Sequence, residues 1–206
     1  MIVQPEIEKY ILGLVPARDE VLAEMEREAA RRRIPIVGPA VGALLSLLVR
    51  LCQAKRIFEL GSAIGYSTIW LARAAGPGAE VHYTDFSEAN ACEARAYFQR
   101  AGVADCITLH AGGALDALMQ TSGDFDLIFN DVDKAGYPAV LDVASGRLRS
   151  GGVLITDNTL WNGRVLKPMD PASHAVSEFN RKLLERKDFV TSLLPLRDGV
   201  SVALKL

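Results

Sequence analysis

Apolar residues recur along this chain with two spacings, which predict helices in the first quarter and alternating strands and helices thereafter. Up to about Gln53 they return every three or four positions, as on one face of a helix. From Lys55 onward, short apolar runs of strand length alternate with amphipathic stretches. The predicted helices are Pro5–Leu12, Arg18–Arg33, Ala40–Gln53, Tyr66–Ala75, Glu88–Ala101, Ala114–Met119, Tyr137–Leu148 and His174–Lys187. The predicted strands are Ile57–Leu60, Glu80–Thr84, Cys106–His110, Phe125–Asn130, Val153–Thr156, Phe189–Pro195 and Val200–Leu206.

The order of these elements favours an α/β fold with a mostly parallel sheet, because strands that alternate with helices are typical of crossover connections. Asp198-Gly199 lies between the last two predicted strands, and this pair is a hairpin turn signal. The hairpin is expected to add an antiparallel strand at or near one edge of the sheet. Between Thr159 and Pro171 the pattern predicts a polar loop that contains Trp161.

Length and composition predict one domain, with N-terminal helices over residues 1–53 and an α/β core over residues 54–206. Half of the residues are hydrophobic, and a net charge of −2 gives no reason to expect a nucleic-acid or membrane partner. The N-terminus lacks a basic segment followed by an apolar run, so we expect no signal peptide. Cys52, Cys92 and Cys106 are far apart and form no CxxC motif, so buried free thiols in a reducing cytoplasm are expected.

Three consecutive arginines, Arg31–Arg33, end the second predicted helix. Their positive charges suit the negative end of the helix dipole. A phosphate-binding patch is the alternative, and we favour the dipole interpretation.

A glycine-rich turn, G-S-A-I-G over residues 61–65, follows the first predicted strand and leads into a helix. In an open α/β sheet such a turn borders the ligand crevice, and glycine allows the backbone to approach a ligand closely. Asp85 ends the second strand, at roughly the spacing of an acid that holds a ribose. A dinucleotide site would have glycine in place of Ala63, and Glu59 would repel a pyrophosphate. A cofactor with ammonium and sulfonium charges tolerates Glu59, so the sequence favours S-adenosylmethionine (SAM).

Acidic residues also follow two later strands, whose carboxyl ends face the same crevice in a parallel sheet. Asp131 follows the fourth strand, and Asp157 and Asn158 follow the fifth. Carboxylates around one crevice repel each other unless a cation or a hydrogen-bond donor lies among them. Two carboxylates and an amide oxygen, without histidine or cysteine, suit Mg²⁺ or a similar ion better than zinc. Lys134 is either a base beside this site or a solvated surface lysine, and the residues alone leave both interpretations open.

Five segments together resemble the cation-dependent class I O-methyltransferases that use SAM, the group that includes catechol and caffeoyl-CoA O-methyltransferases. The segments are FELGSAIGYSTIWLA, YTDFSEAN, FDLIFNDVDKAGYP, GGVLITDNTLWNGRV and LLPLRDGVSVALK. The resemblance runs from about Ile34 to the C-terminus, and the motifs DxDK and DNxLWxGRV are its most specific parts. The chain departs from the usual pattern at Asn130, which replaces an apolar residue, and at Val132, which replaces a common alanine.

The resemblance implies a Rossmann-like class I methyltransferase fold. Its sheet would have seven strands, mostly parallel with one antiparallel, and helices on both faces, with the N-terminal helices over the active site. Asp85 would bind the ribose of SAM, and Gly112 and Ala114 would border the adenine. The remaining residues of the cofactor site would be Val37, Glu59, Gly61, Ala63, Ser67 and Asp131.

For the chemistry, the resemblance implies a divalent ion, Mg²⁺ or else Mn²⁺ or Ca²⁺, held by Asp131, Asp157 and Asn158. Lys134 would act as the base, with Asp131 and Asn158 as further catalytic residues, and we expect Trp161 to contact the substrate. The expected reaction is methyl transfer from SAM to a hydroxyl of a small vicinal diphenol, catalysed by a homodimer.

Two other functions fit parts of the sequence. A nicotinamide-dependent oxidoreductase fits the sheet and Asp85, but Ala63 and the Asp157-Asn158 pair count against it. A binding module without activity would have no need to retain Asp131 and Lys134.

Overall fold

Residues 2–206, the part of the chain that the computed structural model describes, form a seven-stranded sheet flanked by eight α-helices. The strands are β1 (Arg56–Leu60), β2 (Glu80–Asp85), β3 (Ile107–Ala111), β4 (Phe125–Asn130), β5 (Leu148–Thr156), β6 (Phe189–Leu194) and β7 (Val200–Lys205). The helices are α1 (Pro5–Leu14), α2 (Glu20–Arg32), α3 (Gly38–Leu51), α4 (Tyr66–Ala75), α5 (Glu88–Arg100), α6 (Ala114–Gln120), α7 (Tyr137–Arg147) and α8 (Pro171–Glu185).

The strand order across the sheet is β3-β2-β1-β4-β5-β7-β6. The strands from β3 to β5 pair in parallel, whereas β7 is antiparallel to both of its neighbours, β5 and β6. After β3 the chain returns to the other side of β1, so β1 and β4 flank the point where the strand order reverses. The predicted fold, a mostly parallel sheet with one antiparallel strand near an edge, is confirmed.

The core has two layers because alternate side chains of each strand point to opposite faces of the sheet. Ile57 and Leu127 pack on the face covered by α2 to α5, and Phe58 and Ile128 pack on the face covered by α6 to α8. The central strands are buried on both faces, which explains their apolar sequences. Ligands therefore have access only to the ends of these strands.

The start of β5 differs from the prediction. The strand begins at Leu148 rather than Val153, because Leu148 already pairs with Phe125 before the pairing register shifts. Gly151 has a φ of +73°, and a Cβ on Gly152 would lie 2.9 Å from the carbonyl oxygen of Arg149. The two glycines therefore form an irregularity within the strand instead of the predicted turn before it.

Two helix starts illustrate the role of capping. Ser87 caps α5 as predicted, because its hydroxyl accepts a hydrogen bond from the amide of Asn90 at 3.2 Å. The last helix begins at Pro171 rather than His174, since the Asp170 side chain accepts from the amide of Ser173 at 3.0 Å and the Ser173 hydroxyl accepts in return.

The cysteines differ from expectation in their burial. All three are free thiols within the described residues, but Cys92 is exposed and Cys52 and Cys106 are only half-buried. The expectation of buried thiols is therefore wrong, most clearly for Cys92, which lies on α5.

The arginines that end α2 form ion pairs on the surface. Arg31 pairs with Glu28 within the helix, and Arg32 pairs with Glu93 of α5. Exposed pairs of this kind contribute little to stability because water and salt screen them. Across residues 2–206, no helix has the length and apolar character needed to span a membrane.

Candidate active site

A crevice of about 1630 Å³ opens beyond the carboxyl ends of the parallel strands. Gly61, Asp85, Asp131 and Asp157, which follow or end four different strands, all line it. The other predicted site residues that line the crevice are Ala63, Gly112, Ala114, Lys134, Asn158 and Trp161. The topology thus brings together residues that lie far apart in the sequence, as the switch-point position predicts.

The glycine turn after β1 is constrained by its neighbours. Gly61 has a φ of +82°, and a Cβ there would lie 2.6 Å from the carbonyl oxygen of Asp131. Gly65 has a φ of +85°, and a Cβ there would lie 2.5 Å from the Phe98 ring. Both positions therefore require glycine for backbone conformation and for close packing. Between them, Ala63 also has a positive φ, of 46°.

Asp85 is held in place by three hydrogen bonds. Its carboxylate accepts from the backbone amide of Ala63 at 3.0 Å, from that of Ser87 at 2.8 Å and from the side-chain amide of Asn90 at 3.0 Å. These donors connect the end of β2 to the glycine turn and to α5. The carboxylate is thus pre-oriented at the wall of the crevice.

Glu59 lies behind the glycine turn and is fully buried. One carboxylate oxygen accepts a hydrogen bond from the Thr68 hydroxyl, and the other finds no partner among residues 2–206. Burial raises the pKa of Glu59 to about 7, against the nearby hydroxyl groups of Ser67, Thr68 and Ser62, which lower it. A buried acid with an unpaired oxygen is the kind of group that a cationic ligand would satisfy.

Three predicted cofactor residues do not reach the crevice surface in the described part of the chain. Val37, Glu59 and Ser67 are buried and are absent from its lining. Val37 directly follows Ile36, which does line the crevice, and its carbonyl accepts a hydrogen bond from Arg197. Their cofactor roles stay predictions.

Asp131 and Asp157 lie side by side because their strands are paired neighbours. Asn130 pairs with Thr156 at the last register position of β4 and β5, and each aspartate comes next in sequence. The amide of Asp157 donates to the carbonyl of Asn130 at 3.1 Å, and the amide of Asp131 donates to the carbonyl of Leu60 at 2.8 Å. The backbone therefore fixes both residues.

The electrostatics of this pair favour a cation. Burial, and next the negative charge of Asp131, raise the pKa of Asp157 to about 7. Burial also raises the pKa of Asp131, against the opposing positive charge of Lys134. Oδ1 of Asp157 finds no hydrogen-bond partner among the described residues. A cation between the carboxylates would offset the repulsion and occupy the unpaired oxygen.

The donor set fits a hard cation with few protein ligands. Residues 2–206 contain no cluster of three or more histidine, cysteine, aspartate or glutamate side chains placed to hold a metal. The available set is instead two carboxylates and the amide of Asn158, whose nitrogen lies 3.4 Å from Oδ2 of Asp157. Mg²⁺ is commonly bound in this way, with water or substrate oxygens in its other positions.

Lys134 is not a solvated surface lysine. Its side chain is only 12% exposed, and its ammonium contacts Oδ1 of Asp131 at 2.9 Å. The same ammonium lies 5.2 Å from the ring centroid of Tyr137 and 5.6 Å from that of Trp161. Lys134 therefore sits between the carboxylates and the aromatic wall of the crevice.

Several residues of the crevice wall are not predicted by the sequence patterns. Arg197 lies in the turn between β6 and β7, and Phe86 and Asn90 follow β2. The only signal for Arg197 was its place in the matched segment LLPLRDGVSVALK. Its contacts across the fold leave no local pattern.

Comparison with known proteins identifies the family. A family model described as O-methyltransferase matches residues 15–206. A catechol O-methyltransferase from Niastella koreensis is 34% identical over 185 residues, which cover 86% of this chain and 84% of that protein. A catechol O-methyltransferase from Mycobacterium tuberculosis is 35% identical over 171 residues, which cover 82% and 78%.

Two solved structures match the whole fold. The O-methyltransferase from Bacillus cereus in complex with SAH superposes with a TM-score of 0.89 at 31% identity, covering 98% of this chain and 97% of that chain. The O-methyltransferase TomG from Streptomyces achromogenes in complex with SAM superposes with a TM-score of 0.88 at 31% identity, covering 97% and 96%. The matches favour a methyltransferase over the nicotinamide-dependent alternative. The chain belongs to the O-methyltransferase family and is a SAM-dependent methyltransferase.

Proposed function

We propose that this enzyme transfers the methyl group of SAM to one hydroxyl of a small vicinal diphenol, in a reaction that requires a divalent ion. The proposal is carried by the paired carboxylates of Asp131 and Asp157, with Oδ1 of Asp157 unpaired within residues 2–206. Oxygen donors of this kind suit a hard cation. The relatives named catechol O-methyltransferase support a vicinal diphenol as the acceptor.

Asp131, Asp157 and the amide oxygen of Asn158 would hold the ion, for which Mg²⁺, Mn²⁺ and Ca²⁺ are the candidates. When bound, the ion supplies Lewis-acid chemistry, which lowers the pKa of the acceptor hydroxyl and orients it. Three protein donors leave room for substrate oxygens, so two adjacent hydroxyls would be held better than one. This is why we propose a vicinal diphenol rather than a simple phenol.

Lys134 would accept the proton of the attacking hydroxyl. Its amine is placed between Asp131 and the Trp161 ring, where an aromatic acceptor would enter. Proton transfer to an amine held beside the reacting hydroxyl is general base catalysis. As the proton passes to Lys134, the acceptor oxygen bonds to the methyl carbon, and the carbon–sulfur bond breaks with its electron pair left on sulfur.

The donor half of the crevice would hold SAM by its ribose, adenine and methionine parts. Asp85 is fixed by its three hydrogen bonds in a position to accept from ribose hydroxyls. Gly112 and Ala114 would border the adenine, while Gly61, Ala63 and the buried residues Val37, Glu59 and Ser67 would surround the methionine end. Holding both reactants in line would supply much of the rate gain.

The proposal is tested by a methyl-transfer assay with labelled SAM. Catechol is compared with its isomers resorcinol and hydroquinone, each in EDTA and after Mg²⁺ is restored. We expect catechol alone to be methylated, and only with the ion present. Activity that is unchanged by EDTA contradicts the metal requirement, and equal activity on all three isomers contradicts the vicinal diphenol.

We also propose that the chain acts as a single methyltransferase domain in a cytoplasmic homodimer. α1 packs against α3, and these helices expose Tyr10 (66%), Leu14 (67%), Leu47 (54%) and Leu51 (70%). Leu47 and Leu51 lie four residues apart on α3 and therefore on one face of the helix, and contiguous exposed apolar surface marks protein contact sites. Sedimentation should give twice the chain mass of 22.3 kDa, and Leu51→Asp should weaken the dimer. A monomer at all concentrations contradicts this proposal.

A further inference from the structure

The turn between β6 and β7 contacts two sides of the crevice, and Arg197 makes the first of these contacts. Its Nη1 donates to the carbonyl of Ile36 at 3.0 Å and to the carbonyl of Val37. The guanidinium also lies against Gly38, where a Cβ would be 3.3 Å from Nη1. Ile36 and Arg197 both line the crevice. The side chain of Arg197 therefore connects this turn by hydrogen bonds to the segment that precedes α3.

The next two residues of the same turn, Asp198 and Gly199, accept hydrogen bonds from the opposite side of the crevice. The amide of Leu160 donates to the carbonyl of Asp198 at 2.8 Å, and the amide of Asn162 donates to the Asp198 carboxylate. The amide of Thr159 donates to the carbonyl of Gly199 at 3.0 Å. These three bonds hold the segment that carries Asn158 and Trp161, which is the acceptor side of the proposed site.

We propose that Arg197 is a positioning residue for the methyl donor, which holds residues 34–37 over the SAM site. The inference rests on the proposed donor site. An arginine suits this role because the two N–H groups of Nη1 are fixed in the guanidinium plane and donate to neighbouring carbonyls at once, whereas a lysine ammonium is a flexible point charge. Asp198 serves the acceptor side, so adjacent residues of one turn position the two reactants separately.

The positive charge of Arg197 is a second property that the test must separate from its hydrogen bonds. The guanidinium lines the same crevice as Asp131 and Asp157, and its charge offsets theirs. Arg197→Lys retains the charge but not the paired geometry, and Arg197→Met removes both while keeping an unbranched side chain. Donor binding measured in EDTA, without acceptor, isolates the effect on SAM.

The experiment is calorimetric titration of SAM into the wild type and four variants. We expect Arg197→Met to bind SAM about tenfold more weakly, because residues 36 and 37 lose the bonds that order them and SAM binding must then supply that ordering, and Arg197→Lys to be intermediate. Asp198→Ala should retain the wild-type affinity for SAM and instead raise KM for the acceptor. Arg181→Met, which removes an exposed guanidinium paired with Glu185 on α8, is the matched control and should bind normally.

Three results would overturn the inference: unchanged affinity in Arg197→Met, full recovery in Arg197→Lys, or equal weakening in Asp198→Ala. Hydrogen exchange gives a second measurement, because residues 34–38 should exchange faster in Arg197→Lys than in the wild type. If Arg197→Met does not fold, unchanged exchange and affinity in the lysine variant overturn the inference. A wild type that binds no SAM overturns the proposed function as well, whereas equal binding by wild type and variants overturns the role of Arg197 alone.

Discussion

Replacing Asp157 by asparagine should stabilise the metal-free protein at alkaline pH, although the residue belongs to the proposed active site. Asp157 is 2% exposed, and burial followed by the charge of Asp131 raises its pKa from 3.8 to about 7. A carboxyl group whose pKa is raised in the folded state favours folding below its unfolded pKa. That contribution is lost as the pH rises through the folded pKa, so the ionised group is most costly above about pH 7.

The magnitude follows from the size of the pKa change. A rise from 3.8 to about 7 corresponds to about 4 kcal/mol, at roughly 1.36 kcal/mol per pKa unit. Relaxation around a buried charge reduces this cost, so we expect Asp157→Asn to raise the free energy of unfolding by about 2 kcal/mol at pH 8. At about pH 4 both proteins carry a neutral group at this position, and the gain should disappear.

The assay is urea denaturation in EDTA at both pH values, with Asp124→Asn as the control for loss of an exposed carboxylate. Adding Mg²⁺ at 100 times its Kd should stabilise the wild type by about 2.7 kcal/mol and leave Asp157→Asn unchanged. A variant that is less stable than the wild type at pH 8, or a difference that does not vary with pH, would refute the reasoning.

Three further predictions test other parts of the structure. Burial, and next the charge of His82, lower the pKa of His110 in the folded protein. The free energy of unfolding should therefore fall as the pH drops below about 6.5, the pKa of an unfolded histidine. His110→Gln should flatten this dependence in urea denaturation, and an unchanged slope contradicts the prediction. Gly65→Ala should lower the free energy of unfolding by about 2–3 kcal/mol, because its Cβ would clash with Phe98. Gly146→Ala in α7 meets no described atom within 4 Å and should raise the free energy of unfolding by about 0.5–1 kcal/mol. Calorimetry and kinetics of Lys134→Met should give an unchanged Kd for SAM and a kcat about 10²–10⁴ lower, and a variant with normal turnover removes the base from the mechanism.

Local patterns were sufficient for most of the fold. α4 and β4 have the bounds that the sequence predicts, because their periodicity and flanking turn residues agree. The start of β5 was wrong because the irregularity at Gly151 depends on pairing with Phe125, which no local pattern records. The start of α8 was wrong although Asp170 and Ser173 form a capping box, since that signal lies before the apolar stripe.

The positions of the site residues that follow strand ends were predictable, because the sheet topology alone determines them. Asp131 and Asp157 meet because paired parallel strands end at the same edge, and a strand–helix pattern implies such an edge. The burial of Glu59 behind the turn depends on which face of the sheet its side chain points to, and the sequence of β1 does not reveal this. The contact of Arg197 with Ile36 spans 161 sequence positions, so only the folded chain reveals it.

The most direct test is anomalous scattering from crystals of the protein grown with Mn²⁺ and S-adenosylhomocysteine, the product that SAM leaves after methyl transfer. The proposed metal site predicts one Mn²⁺ per chain, in contact with oxygens of Asp131, Asp157 and Asn158, and no such ion in crystals of Asp157→Ala. Carboxylates of Asp131 and Asp157 that turn away from each other, with no ion between them, would contradict it.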